Sequence, residues 1–210
     1  MSTVAIIDYG MGNLASVARA VDVCGGTPLI TDRASEVTSA SRIILPGVGA
    51  FADGMAELRK RGLDTVLAEE VREKGIPLLG ICLGMQLLAA SGTEGAPTKG
   101  LGFVDGEVLR LEAAEPGARI PHVGWNSVDQ SRPCSLFDGI ESGKDFYFVH
   151  SYHFLCTREH NVVARTPYCG GFVSCVQDNH VFGVQFHPEK SQKPGLRLLE
   201  NFLSTEAAPC

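Results

Sequence analysis

The pentapeptide Gly80-Ile81-Cys82-Leu83-Gly84 sits inside an apolar run that begins at Ile76 and continues to Ala90. A short buried strand that turns sharply into a helix lifts one side chain clear of the backbone, and here that side chain is a thiol. Glycines on both sides remove the Cβ atoms that such a turn would force together. A helix beginning at Leu83 sets unpaired N–H groups beside the sulfur, which favours thiolate, the nucleophilic form. Far downstream, a second apolar run from Val181 to Phe186 ends in His187-Pro188-Glu189. A cysteine nucleophile needs a base, and the base needs an orienting group. Histidine titrates nearest neutral pH. A carboxylate on its far nitrogen fixes the tautomer and stabilises the imidazolium. Cys82, His187 and Glu189 therefore supply the parts for amide hydrolysis through a thioester.

Each motif has a plainer reading. Cys82 alone is a small apolar residue that fills a strand end, and His187 with Glu189 is an ordinary loop after a strand. Two strand-terminal motifs that jointly supply nucleophile, base and orienter are much less expected by chance.

The surrounding pattern predicts elements that would bring them together. Val4 to Asp8 is a short buried strand. Leu14 to Val23 has helical spacing and stops at Gly25-Gly26. Arg42 to Leu45 is a second strand, ending in Pro46-Gly47, and a helix follows from Phe51 to Arg61. Asp64 is a candidate cap for another helix that runs to Lys74. Strands alternating with helices imply parallel pairing and right-handed crossovers. Ligands bind such open sheets at the carboxyl ends of the strands, where Asp8, Pro46, Cys82 and His187 all fall. After Gly92 helical spacing fades. Short β-rich runs follow at 106–111, 123–128, 146–149, 162–166 and 172–177, and read as antiparallel or mixed strands appended to the sheet. Leu196, Leu199 and Phe202 mark an amphipathic last helix that covers a sheet face. The expected fold is α/β: an open, mostly parallel flavodoxin-like sheet with flanking helices, in one domain spanning residues 1–210.

Composition narrows the class. A chain of 210 residues fits one α/β domain with a substantial core and leaves no room for a second catalytic domain. The formal net charge of −6, with charges scattered, argues against a nucleic-acid or anionic-membrane surface. The seven cysteines are odd in number and contain no C-x-x-C, which reads as reduced cytoplasmic usage rather than disulfides or a zinc site. No helix-spaced histidine pair joins them, so neither a metal nor another cofactor is expected. No signal-like or membrane-spanning segment is visible.

Cys82 within Gly-Ile-Cys-Leu-Gly-Met-Gln, and His187 and Glu189 within Gly-Val-Gln-Phe-His-Pro-Glu, resemble the triad of class I glutamine amidotransferases. Leu45-Pro-Gly-Val-Gly-Ala-Phe51 resembles the oxyanion strand of that family. The likeness covers nearly the whole chain, with the motifs in family order. Asp8 to Leu14, Pro121 to Asn126 and Phe146 to Tyr152 are similar to the glutaminase subunits of imidazole glycerol phosphate synthases, in histidine biosynthesis. Met85 agrees, since many sister glutaminases carry His there. The resemblance implies hydrolysis of L-glutamine to glutamate and ammonia, with Val48 and Leu83 N–H groups as oxyanion donors. It implies that Gly49, Gln86 and backbone at Ser151 and Tyr152 hold the substrate. It also implies a separate β/α-barrel cyclase subunit as partner, met through Asn13, Trp125 and Lys190.

Read without the family, several of these residues stay open. Gly47-Val48-Gly49 also fits a flexible strand-to-helix loop. Gln86, one turn past Cys82, also fits a polar helix surface. Trp125 also fits a core aromatic, and Lys190 a solvated loop. At the level of function, the alternatives are a sister glutaminase, a stand-alone cysteine hydrolase on a similar sheet, and a non-catalytic relative. The intact set of Cys82, His187 and Glu189 argues against the last. Pro167 to Gly171 and Cys210 match nothing diagnostic.

Overall fold

The computed structural model describes residues 2–113, 117 and 119–205. The first half alternates as the spacing predicts. It contains β1 (Thr3–Ile7), α1 (Leu14–Val23), β2 (Thr27–Thr31), α2 (Ala34–Val37), β3 (Arg42–Gly47), α3 (Phe51–Lys60), α4 (Leu63–Ala68), β4 (Leu78–Cys82) and α5 (Leu83–Leu87). The second half is strand-rich: β5 (Ser91–Gly92), β6 (Thr98–Lys99), β7 (Gly106–Arg110), β8 (His122–Gln130), β9 (Lys144–His150), β10 (Tyr152–Cys156), β11 (Val162–Thr166), β12 (Phe172–Asp178) and β13 (Val181–Val184). Helix α6 (Gln192–Ser204) closes the described chain. No helix among the described residues is long and apolar enough to cross a membrane.

Strands β2, β1, β3, β4 and β13 lie side by side in that order, each parallel to its neighbour. Beyond β13 the pairing turns antiparallel, through β12, β10 and β7. An antiparallel pair, β8 with β9, joins through β11. Side chains alternate across a strand, so each parallel strand feeds two cores. Val4 and Ile6 of β1 pack with Val17 and Val21 of α1 and with Leu199 and Phe202 of α6. Ala5 and Ile7 face the other way, toward Met55 and Leu58 of α3 and Leu67 of α4. The parallel strands are buried on both faces, which is why they read as continuous apolar runs rather than alternating ones.

Three local departures have physical causes. Helix α4 starts on Gly62, in the left-handed region at φ 68°, and not on an Asp64 cap. It then widens into a π-helical turn over Glu69–Glu73, where the buried Glu70 carboxylate takes Lys74 Nζ at 2.6 Å. The elbow helix α5 is only five residues long. The chain at 101–104 folds back onto it and takes its last carbonyls, with Leu101 N–H on Leu87 O and Phe103 N–H on Leu88 O. Strands β2 and β10 escape the sequence pattern. The first is a half-exposed edge strand containing Pro28. The second follows β9 after the single residue Ser151.

Candidate functional site

Cys82 ends β4 and precedes α5 with φ 55° and ψ −110°, a strained conformation for a residue with a side chain. Packing enforces it. A Cβ on Gly84 would lie 1.7 Å from the Leu45 carbonyl oxygen of β3. A Cβ on Gly80 would lie 2.7 Å from Gly84 O. The glycines therefore allow two backbones to touch, and the contact drives the elbow. The five-residue α5 has little macrodipole. The helix contribution expected at the thiol is correspondingly small, and the neighbouring histidine carries the charge argument instead.

His187 follows β13 and is held by its backbone. Its N–H donates to Tyr147 O at 2.9 Å, and its carbonyl accepts from Ser191 Oγ at 2.6 Å. Ser191 Oγ in turn accepts from Tyr147 N–H at 3.0 Å. Pro188 starts a single 3-10 turn that brings Glu189 back beneath the imidazole. His187 Nδ1 lies 2.8 Å from Glu189 Oε1, and the two side chains are only 4% and 2% exposed. A carboxylate only accepts, so the proton of that bond sits on Nδ1. Nε2 is buried without a well-aligned hydrogen bond, and the Cys82 sulfur is the group that interacts with the ring from that side. Burial alone would lower the His187 pKa. The Cys82 sulfur and the Glu189 carboxylate outweigh burial and raise it to about 10. The surroundings of His187 therefore favour its protonated form. By contrast, burial pushes the Cys24 thiol up to about 11 and raises Cys134, Cys156 and Cys175 as well.

A cavity of about 360 Å³ opens at the sulfur, lined by Val48, Gly49, Cys82, Leu83, Gln86, Glu94, Ser151 and Tyr152 among others. The predicted oxyanion and substrate residues thus converge on one space. Its size suits a small polar molecule. Gln86 is almost fully buried, which excludes the surface reading. Its Nε2 donates to Tyr152 O at 3.0 Å and to Gln185 Oε1 at 3.0 Å, leaving its oxygen as the end for a ligand. The Ser151 carbonyl is taken by Leu111 N–H, and that of Tyr152 by Gln86 and His150. A substrate contact from this segment therefore falls to donors.

One expectation meets a different geometry. Val48 N–H is bound to Met11 O at 3.1 Å and does not face the cavity. The loop after β1 lies against this peptide: a Cβ on Gly49, where φ is +107°, would come within 2.6 Å of Met11 Cε. In this conformation the N–H of Leu83, the first residue of α5 and next to Cys82, has no partner within its own helix.

Residues assigned to the partner are distributed as follows. Asn13 is exposed and caps α1, its Oδ1 accepting from Ser16 N–H at 3.4 Å. Trp125 is 47% exposed, which rules out the core reading. It packs edge-on against Tyr147, and Lys190 Nζ lies 5.8 Å from the centre of the Tyr147 ring.

Three participants were not read from the sequence. Glu94 is the only carboxylate among the described residues that lines the cavity, and it comes from a Gly- and Thr-rich turn with no motif. Ser191, two residues past Glu189, carries no motif of its own. Gln185 is fully buried, and its Nε2 points at Cys82 Sγ at 3.7 Å. A Gln inside an otherwise apolar strand end was the available signal.

The family model described as glutamine amidotransferase class-I matches residues 5–205. The imidazole glycerol phosphate synthase subunit HisH of Moorella thermoacetica is 52% identical over 202 residues, covering 96% of this chain and 94% of that one. Subunit HisH 2 of Nitrobacter winogradskyi is 45% identical, covering 97% and 98%. Among solved structures, PurLQS from Thermotoga maritima superposes with a TM-score of 0.75 at 20% identity, over 97% of this chain and 98% of that one, a likeness of fold.

Proposed function

Because the chain belongs to the class I glutamine amidotransferase family, we infer that it is the glutaminase subunit of imidazole glycerol phosphate synthase. It releases ammonia from L-glutamine for a second subunit to use. The observation that carries the mechanism is the buried His187, tied to Glu189 through one nitrogen and acting on Cys82 through the other, with Cys82 itself lining an amino-acid-sized cavity.

The Cys82 thiolate adds to the side-chain carbonyl carbon of glutamine. The C–N bond then breaks as His187 gives its Nε2 proton to the departing nitrogen, which leaves as ammonia. Acylation removes the negative charge that helped hold that proton, so the basicity of His187 falls toward a useful range. Water adds to the thioester and gives a proton to His187. The C–S bond breaks, and glutamate leaves with thiolate and imidazolium restored. Assistance of this kind contributes about a hundred- to ten-thousand-fold. Glu189 stays ionised and keeps the ring in place. Gln86 Oε1 accepts from the substrate amide, and Glu94 is placed to take its α-ammonium group.

The oxyanion is held by Leu83 N–H and, once its bond to Met11 opens, by Val48 N–H. One such donor is worth on the order of a hundred- to a thousand-fold. Use of the Val48 donor therefore requires its bond to Met11 O to open.

The partner is a cyclase that docks over the carboxyl edge of the sheet. Val123 and Val149 are register partners on β8 and β9, and Trp125 opposes Tyr147 two residues on, so one face presents them together. Val48, Val123, Trp125 and Val149 are all exposed at this rim. A contiguous apolar patch of this kind marks a binding surface. Ammonia released under it reaches the second active site without meeting bulk water, where it would be protonated.

The test is Cys82→Ala in the complex. Glutamine-dependent product formation is expected to vanish, while product formation from ammonium salts persists. A variant that still hydrolyses glutamine near the parent rate removes Cys82 as the nucleophile.

A further inference from the structure

A continuous line of hydrogen bonds runs from β8 to the Cys82 sulfur. Asn126 Nδ2 lies 3.3 Å from His122 Nε2. His122 Nδ1 lies 3.1 Å from His150 Nε2. His150 Nδ1 lies 2.8 Å from Tyr152 O. The same carbonyl accepts from Gln86 Nε2, which also reaches Gln185, whose own amide reaches the sulfur.

The chemistry fixes every proton along this line. A carbonyl oxygen only accepts, so His150 carries its proton on Nδ1. Its Nε2 is then an acceptor, and His122 must donate from Nδ1. The His122 Nε2 is then an acceptor in turn, satisfied by the Asn126 amide. That amide is itself oriented, because its oxygen accepts from Ser127 N–H at 2.9 Å. Any other tautomer sets two donors or two acceptors face to face inside a buried network, where an unmade bond is expensive. Both rings are nearly inaccessible to solvent, so water cannot replace a lost partner. Tyr152 O thereby has both lone pairs filled and a fixed direction. Both Gln86 N–H groups are committed, which aims Gln86 Oε1 at the cavity that His150 also lines.

We propose that His122 and His150 are positioning residues for glutamine hydrolysis, a neutral imidazole pair whose two Nδ1 protons fix the Tyr152 carbonyl, and through it Gln86, Gln185 and the Cys82 sulfur. This rests on the glutaminase reading above. Neither ring takes part in bond making. Their task is to prevent the Gln86 amide from rotating and offering the substrate a donor where it needs an acceptor.

The alternative role for His122 is packing, since its ring stacks on Tyr168 at 4.1 Å and touches Phe148 and Phe172. Two substitutions separate the roles because they fail in opposite directions. His122→Phe keeps the ring and loses the donor. His122→Asn loses the ring and keeps an N–H where Nδ1 was. Glutamate formation is measured with the partner subunit present, and thermal unfolding is recorded alongside. The relay predicts that His122→Phe loses about tenfold or more in kcat/KM for glutamine, with most of the loss in KM, while His122→Asn stays within about threefold of the parent. Equal activities, or a more active Phe variant, overturn the proposal. Nitrogen-15 NMR of the unaltered protein is the second measurement and does not depend on the variants folding. Both imidazoles are expected as neutral Nδ1–H tautomers, and an Nε2–H tautomer at either overturns the relay. A parent complex that makes no glutamate, with the tautomers as expected, counts against the glutaminase reading and leaves the hydrogen-bond line standing.

Discussion

Glu189→Gln isolates the charge that holds the His187 proton. The replacement keeps the shape of the side chain and one acceptor oxygen for Nδ1–H, and removes only the negative charge. The contact is 2.8 Å long with both side chains almost fully buried, so solvent cannot screen or replace it. Moving a histidine from its ordinary 6.5 to about 10 corresponds to roughly 5 kcal/mol of preferential stabilisation of the imidazolium. Cys82 and Glu189 share that effect against the opposing burial. A close opposite charge is worth about one to three pH units at a site of this kind. His187 in the variant should therefore titrate about one to three pH units lower than in the parent. The stability consequence has a definite sign. The folded pKa lies above the unfolded one, so the stabilisation is complete below about 6.5 and is lost as pH rises through about 10. In the variant the loss still begins near 6.5, but it is smaller and is complete at lower pH. The assay is a nitrogen-15 NMR titration of the His187 ring, paired with denaturant unfolding at neutral and alkaline pH. Glutaminase activity should fall, but less than in His187→Ala, because the ring keeps its orientation. A variant whose His187 titrates at the same pH as the parent would show that Glu189 does not hold the proton, and the electrostatic account of the site would fail.

Gly84→Ala places a methyl group 1.7 Å from Leu45 O, so β3 or the elbow must shift. Overpacking of this kind costs about 1–3 kcal/mol or more, and a denaturant midpoint unchanged from the parent would contradict the account of the elbow. At the acid end the sign reverses, because burial holds His122 down to about 4 and His150 to about 3. Their neutral forms stabilise the fold fully above about 6.5, and this is lost as pH falls toward those values. His122→Asn should therefore flatten the acid slope of stability measured in urea, and an unchanged slope would remove this pair as its source. Trp125→Ala and Lys190→Ala should weaken docking or the partner's stimulation of glutamate formation, while the isolated cyclase still uses ammonium salts. Retention of parental affinity and stimulation by both would place the partner on another face.

The nucleophile, base and orienter were legible because each depends on neighbours in the chain. The elbow is a local backbone event that needs Gly80 and Gly84 around Cys82, and Pro188 sets the short turn between His187 and Glu189. The alternating first half was legible for a related reason: parallel strands buried on both faces announce themselves as apolar runs. The family motifs then narrowed the reading to a glutaminase. What sequence could not carry were contacts between elements that lie far apart. Whether Trp125 was core or surface depended on its strand pairing, which turned it outward opposite Tyr147. Glu94 became a cavity residue only because the turn containing it folds over α3, where its carboxylate accepts from Phe51 N–H at 3.3 Å. Tyr168, in a segment without any diagnostic pattern, turned out to stack on His122. The direction of the Val48 peptide was beyond any reading of Pro46-Gly47-Val48-Gly49, since a glycine-flanked peptide has two accessible orientations and Met11 of another loop selects between them. Residue types and spacing determined which chemistry the chain carries. Tertiary packing decided where each donor points, because hydrogen-bond direction is set by the partner that happens to lie across the gap.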